Sequence, residues 1–358
     1  MHKQRLDLSA GSDVLTAISR FIAVKMKHAR KVQQAGTLVL LVAAGWSRAE
    51  AAPYVDDTVQ DQWFTGSLES PSPALTKAGT VVVEPYAIYT GNTGAYNNAW
   101  GHYSVPNNLN QMQSLTLLKY GITDRLSVQA VPTFNYAWNG LTTSNGVGVG
   151  DLPIEFQYRL NDENRKTGSP SVTVGLATAF PTGAYNNPSN PLNGFGAGAY
   201  TLREEILLQS LFDTWGNHPM RLRFWGDVYE PLASVPVQNA SVYGTSQGFQ
   251  GQANPGIAGD WGVAVEYGLN QRWVLALDLV QNYAAGFRLN GTNAGFVQST
   301  NGSSSTSIAV APAIEYNFTS GAGLIVGVAF SVAGRNASSY IAPQAALFLT
   351  LCELRICQ

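Results

Sequence analysis

From about Thr80 to Leu351 the chain runs through short stretches in which apolar and polar residues alternate. Alternation with a period of two marks strands that have one apolar and one polar face. Twelve such stretches lie near 80–90, 111–122, 125–136, 151–160, 171–181, 199–210, 219–231, 256–269, 272–283, 306–318, 321–333 and 340–351. Each is long enough for a tilted strand to cross a bilayer. The pattern predicts an all-β fold, a transmembrane up-and-down antiparallel β-barrel of about 12 strands over residues 80–351.

The gaps carry a rhythm of their own. Tiny ones, at Thr123-Asp124, Asn270-Gln271 and Thr319-Ser320, and modest ones, at 161–170 and 211–218, alternate with long ones at 91–110, 137–150, 182–198, 232–255 and 284–305. The long gaps are rich in Asn, Gly, Ser and Thr, as solvated loops are. Short periplasmic turns and long outer loops alternate this way in outer-membrane barrels. One gap departs from the rhythm, since 334–339 is short although it falls on the outer side.

The two faces differ in chemistry. Ile154, Phe156, Tyr158 and Leu160 share one face of the fourth stretch, and Glu155, Gln157 and Arg159 share the other. In the ninth, Trp273, Leu275, Leu277 and Leu279 oppose Asp278 and Asn282. An Arg or Lys facing lipid at mid-depth costs about 2–4 kcal/mol, so the apolar face must point outward. The inward faces then carry the candidate lumen-lining residues Glu84, Glu155, Arg159, Arg203, Glu205, Arg221, Arg223, Asp227, Asp260, Glu266, Arg272, Asp278 and Glu315. Arg203-Glu204-Glu205 places charge on both faces of its strand. Aromatics gather near the predicted strand ends. Tyr120, Tyr158, Tyr267, Trp273 and Phe318 would lie toward the periplasm, and Tyr136, Phe180, Trp261 and Tyr283 toward the outside. Rings that are half apolar and half wet favour the headgroup zone.

Composition agrees with a lipid-facing surface. Only 12% of the 358 residues are charged, about half the usual share of a soluble domain. No stretch approaches the eighteen apolar residues of a membrane-spanning helix. The N-terminus splits off as a separate unit. Lys27, His28, Arg30 and Lys31 form a basic region, Gly36–Trp46 an apolar one, and Ala49-Glu50-Ala51 a cleavage site. Residues 26–51 thus read as a secretory signal peptide. Residues 1–25 carry no recognisable signal and read as an upstream mis-start, with Met26 the expected beginning. Residues 52–79, with Asp56, Asp57, Asp61, Trp63, Pro71 and Pro73, read as a periplasmic N-terminal arm. That arm either folds up into the lumen or forms a disordered linker. Residues 352–358 form a C-terminal tail in which Cys352 and Cys357 are either bonded or free, export making a disulfide permissible. Eight of the 21 basic and three of the 23 acidic residues lie in 1–51, leaving 13 against 20 beyond it, a net of −7. An acidic chain argues against nucleic acid as a partner.

Several segments resemble a known family. Glu84-Pro85-Tyr86 lies in the first stretch, and Tyr120-Gly-Ile-Thr-Asp-Arg-Leu126 makes the first short turn. Gly148-Val-Gly-Asp151 leads to Tyr158-Arg159-Leu160, and Phe180-Pro-Thr-Gly183 closes the fifth. Together these resemble the outer-membrane barrel family named for the meta-pathway of phenol degradation, most densely over 80–183. The resemblance implies a Gram-negative outer-membrane channel or transporter for hydrophobic or aromatic compounds. Barrels of this kind often end on an aromatic residue that the barrel-assembly machinery reads, whereas here ten residues follow Phe348.

Enzyme chemistry finds little support. The chain beyond residue 51 has two histidines, His102 and His218. His102-Tyr103-Ser104 echoes the His–Ser pair of outer-membrane lipid hydrolases but falls in a long loop beside Pro106. No nucleophile elbow, phosphate loop or zinc motif occurs, and no cofactor or metal is expected. The lumen charges, eight acidic and five basic, are of mixed sign, unlike the single-sign ring of a selective ion pore. They read either as ion pairs that stiffen the wall or as the lining of a solute path. The expected function is a barrel in outer-membrane lipid that passively admits small, hydrophobic or aromatic solutes. A structural or surface-binding barrel acting through its loops is the first alternative, and an outer-membrane lipid hydrolase the second. The sequence leaves the oligomeric state open.

Overall fold

The computed structural model describes residues 62–164, 167–214, 216 and 218–351. The expected signal peptide, the segment 1–25, the first part of the arm, Cys352, Cys357 and the tail lie outside the described residues. Twelve strands form the barrel. They are β1 (Val81–Tyr96), β2 (Asn110–Thr123), β3 (Leu126–Ala130 continued by Thr133–Trp138), β4 (Leu152–Asn161), β5 (Ser171–Phe180) and β6 (Thr201–Asp213), followed by β7 (Pro219–Pro231), β8 (Ala258–Gly268), β9 (Trp273–Ala284), β10 (Ser305–Thr319), β11 (Ala322–Arg335) and β12 (Ala337–Thr350). Each pairs antiparallel with its neighbour in sequence. β1 also pairs with β12, from Val82 opposite Thr350 to Tyr96 opposite Ala337, and this closes the cylinder. Closure leaves no free edge, which a bilayer demands because nothing in it can satisfy an unpaired backbone. Among the described residues no helix is long and apolar enough to cross a membrane.

The wall is inside-out. Phe156 (53% exposed), Leu277 (48%) and Leu279 (51%) face outward, while Glu266, Asp278 and Glu315 are fully buried within. Tyr120, Tyr158, Trp273 and Phe318 are also exposed. A Trp273–Tyr316 pair at 4.6 Å and a Tyr316–Phe318 pair at 5.1 Å make an aromatic patch at the short-turn end.

Three features differ from the sequence expectation. β3 is interrupted at Val131-Pro132, because Pro132 has no N–H to give its neighbour. The strand stays in register through Val131 N–H donating to the Pro153 carbonyl at 3.1 Å and Thr116 N–H to that of Pro132 at 3.1 Å. The last outer connection shrinks to Asn336 alone, which adopts a left-handed φ of 49°. Parts of two long loops are not irregular. Val235–Gln238, Phe249–Asn254, Arg288–Asn293 and Phe296–Asn301 form a separate four-stranded sheet at the long-loop end. Its buried side chains Val235, Val237, Phe249, Ala253 and Leu289 pack with Ala199 into a small core of their own.

Candidate functional site

The lumen is the candidate site, and the N-terminal arm lies inside it. Trp63 N–H donates to the Gln271 carbonyl at 3.3 Å, at one short turn. Ala78 N–H donates to Asp124 at 3.3 Å, at another. The segment between them rises into the barrel and returns to the same end. Its backbone and hydroxyls are met by strand side chains. Glu315 accepts from Thr65 N–H at 2.7 Å, and Asp278 from Ser67 Oγ at 2.6 Å. Arg223 donates to the Ser70 carbonyl at 3.2 Å. Arg159 and Thr173 both donate to that of Pro73, at 3.0 and 2.8 Å. Gln344 donates to Glu69, and the Arg221 guanidinium lies 4.1 Å over the Phe64 ring. The facing wall is stripped of bulk so that the arm can seat. Leu68 packs on Ala276, Ala311, Ala329, Ala342 and Ala346. A Cβ on Gly323 would run into Thr65, and one on Gly327 into Leu68.

Most of the predicted lumen charges gather in two buried clusters. In the first, Arg203 of β6 grips Asp227 of β7 through Nε at 2.8 Å and Nη2 at 3.2 Å, and also reaches Glu205 and Glu155. Gln129 and Gln157 donate to the same carboxylates. Gly175 sits between Glu155 and Glu205, where a Cβ would collide with both. In the second, Glu266 of β8 binds Arg221 in bidentate fashion and Arg223 at 3.2 Å. Such charge-assisted pairs need this mutual satisfaction once out of water. Asp260 accepts from Trp225 Nε1 at 3.1 Å, and Glu84 from the Tyr86 hydroxyl at 3.0 Å. Glu204 lies on the outward face of β6, opposite in parity to Arg203 and Glu205.

Arg272 is a correction. It is exposed in the turn before β9, not on an inward strand face. The Asn270 side chain accepts from both Arg272 N–H and Trp273 N–H at 3.0 Å, so the turn runs one residue further than its apolar pattern suggests. Sequence reasoning also missed Lys119 and Asp151, which line the lumen cavity. The signal for Lys119 was its shared parity with Gln111 and Gln113, blurred by Leu115 and Leu117 on that same face. His102 pairs with Ser339 Oγ at 2.8 Å, so the imidazole engages a serine other than Ser104. Among the described residues no group of His, Cys, Asp and Glu could hold a metal.

Beside the arm lies a cavity of ≈ 940 Å³. Val82, Ile88, Leu115, Leu117, Val131 and Pro153 line it from β1–β4, and Arg203, Arg223 and Tyr229 from β6 and β7. A second cavity, of ≈ 580 Å³, lies toward the outer loops, between Gln111, Gln113 and Asn135 and the rings of Phe195, Tyr243 and Phe287.

A closed twelve-stranded cylinder with an apolar belt and a charged interior defines an outer-membrane β-barrel. No protein-family model matches the chain, and no curated relative matches it in sequence. Among solved structures it is similar to an outer membrane channel from Pseudomonas putida F1, with a TM-score of 0.58 and 14% identity over 79% of this chain and 100% of that one. The toluene transporter of Ralstonia pickettii aligns with a TM-score of 0.36 and 10% identity, over 78% of this chain and 92% of that one.

Proposed function

We propose that this protein is a passive outer-membrane channel for small hydrophobic or aromatic solutes, and that it is not an enzyme. One observation carries the reading: a closed barrel holds, beside its arm, a cavity of ≈ 940 Å³ with an apolar stripe on β1–β4. The stripe gives a solute's apolar body somewhere to lie, while Arg203, Arg223 and Tyr229 supply the polar groups of the cavity from β6 and β7. Glu84, Glu155, Arg159, Arg203, Glu205, Arg221, Arg223, Asp227, Asp260, Glu266, Asp278 and Glu315 are the wall of that path in this reading. The motif resemblance over 80–183 to the phenol-degradation barrel family supports the same solute class. Export by the signal peptide and insertion by barrel-assembly machinery belong to this reading too. The test is permeation into proteoliposomes, with aromatic and hydrophilic solutes compared. Flux of the aromatic solute above a heat-inactivated control is expected, and its absence overturns the proposal.

A surface-binding role is the second reading, and the outer four-stranded sheet favours it. Phe296 and Val297 stand 79% and 86% exposed at the start of its last strand. Deleting 288–301 should abolish that role and leave permeation intact.

A further inference from the structure

Two cavities lie along the barrel, and among the residues lining them Asp151 is common to both. It stands just before β4, on the inward parity of Pro153 and Glu155. One carboxylate oxygen accepts from Gly183 N–H at 2.9 Å, and the other from Ala197 N–H at 2.8 Å. These donors sit at opposite ends of the 182–198 loop, so a single side chain ties the loop's two ends together. The ends meet closely. A Cβ on Gly183 would lie 2.7 Å from the Gly196 Cα, and one on Gly196 would lie 2.7 Å from Asp151 itself. Phe195 and Gly196 N–H groups both donate to the Ala184 carbonyl, at 2.8 and 2.9 Å, which closes the neck of the loop. Phe195 then packs where Gly148 has no side chain. From above, the Tyr243 hydroxyl donates to the Ala197 carbonyl at 2.6 Å and fastens the loop to the outer sheet.

We propose that Asp151 fixes the size limit of the passage by holding the 182–198 loop between the outer and inner cavities. The inference rests on the channel reading. It adds the residue that decides which solutes pass. A carboxylate suits the role because two oxygens serve two N–H donors at once. An asparagine has one acceptor oxygen and turns its own N–H₂ toward the second donor. An alanine serves neither.

The experiment reconstitutes wild type, Asp151→Asn, Asp151→Ala and Tyr243→Phe into planar bilayers. Single-channel conductance is recorded with polyethylene glycols of graded size, and heat-modifiable migration reports barrel assembly. Conductance and the largest polymer that enters should both rise in the order wild type, Asp151→Asn, Asp151→Ala. Tyr243→Phe should shift both in the same direction by freeing the loop's upper fastening. Where Asp151→Ala does not assemble, the isosteric Asp151→Asn and the outer-loop Tyr243→Phe carry the comparison. A conducting wild type with assembled variants that keep its conductance and polymer cut-off overturns the size limit and leaves the channel standing. No current from wild type and variants alike removes the channel reading and the filter with it.

Discussion

Between β7 and β8 the Glu266 carboxylate faces two arginines, Arg221 and Arg223, with no exposure to solvent. Removing it strands two cations in a dry wall. Glu266→Ala should therefore cost about 3–5 kcal/mol, the range for breaking a buried pair by losing one partner. Urea unfolding in detergent or lipid, followed by tryptophan fluorescence, measures it. A loss no larger than that of an outward-face alanine would show that the cluster contributes nothing. Glu69, at the top of the arm, behaves differently. Its side chain opens on the cavity, yet burial among the surrounding groups pushes its carboxyl above the ordinary range. The Gln344 hydrogen bond opposes that shift, and Asp260 adds to it. A carboxyl with a raised pKa binds its proton more tightly in the docked arm than in the free one. Docking therefore weakens as pH rises through that pKa and strengthens as pH falls. Glu69→Gln should then dock more firmly than wild type at neutral pH, and the gap should close in acid. Hydrogen exchange of the 66–72 amides across a pH series reads this directly. A gap that widens in acid would reverse the sign.

At the scale of elements the arm is held by the absence of side chains as much as by their presence. Gly323 of β11 is the sharpest case, since the atoms nearest a methyl there belong to the Thr65 and Asn317 side chains. Gly323→Ala should lift the 63–68 stretch and leave the barrel folded. Loss of amide protection in that stretch with unchanged heat-modifiable migration is the expected result, and retained protection counts against it. In the sequence this docking was one of two open readings, and the partners that hold the arm were not legible. The arm binds through backbone groups and a few scattered side chains with no period of their own, so Trp63, Pro71 and Pro73 fit a linker as well as a plug. The barrel was legible because lipid outside and charge inside impose opposite chemistry on successive residues, as in Ile154–Leu160 and Trp273–Leu279. Where that contrast lapses, the reading lapses with it. Lys119 shares its face with two leucines. Asp151 opens its strand with the uncharged Pro153 between it and Glu155, so it reads as the end of the loop before it. The outer sheet's Val-Pro-Val-Gln and Phe-Gln-Gly-Gln-Ala-Asn strands carry Pro and Gly, which ordinarily mark turns. Only the pairing of strands distant in sequence makes them a sheet.

Taken whole, the lumen has more carboxylates than its arginines engage. Arg203 is shared by Glu155, Glu205 and Asp227, and Arg221 and Arg223 converge on Glu266. Among the described residues Glu69, Asp151, Asp260 and Asp278 face the interior with no cationic group within ion-pair distance, held instead by Gln344, backbone N–H groups, Trp225 and Ser67. Neutral hydrogen bonds stabilise a carboxylate without cancelling its field. The field inside a low-dielectric wall acts on whatever enters. The net of −7 beyond residue 51 has the same sign. Small anions should therefore meet a barrier that neutral solutes and cations do not. In a potassium chloride gradient across a planar bilayer, the reversal potential should indicate preference for potassium. Asp260→Asn together with Glu69→Gln should move it toward zero. The same barrier should separate aromatic solutes of equal size, a neutral phenol entering proteoliposomes faster than a benzoate at neutral pH. A chloride preference in the wild type would mean that the arginine clusters, not the free carboxylates, dominate the field along the path. The double variant would then move the potential away from zero.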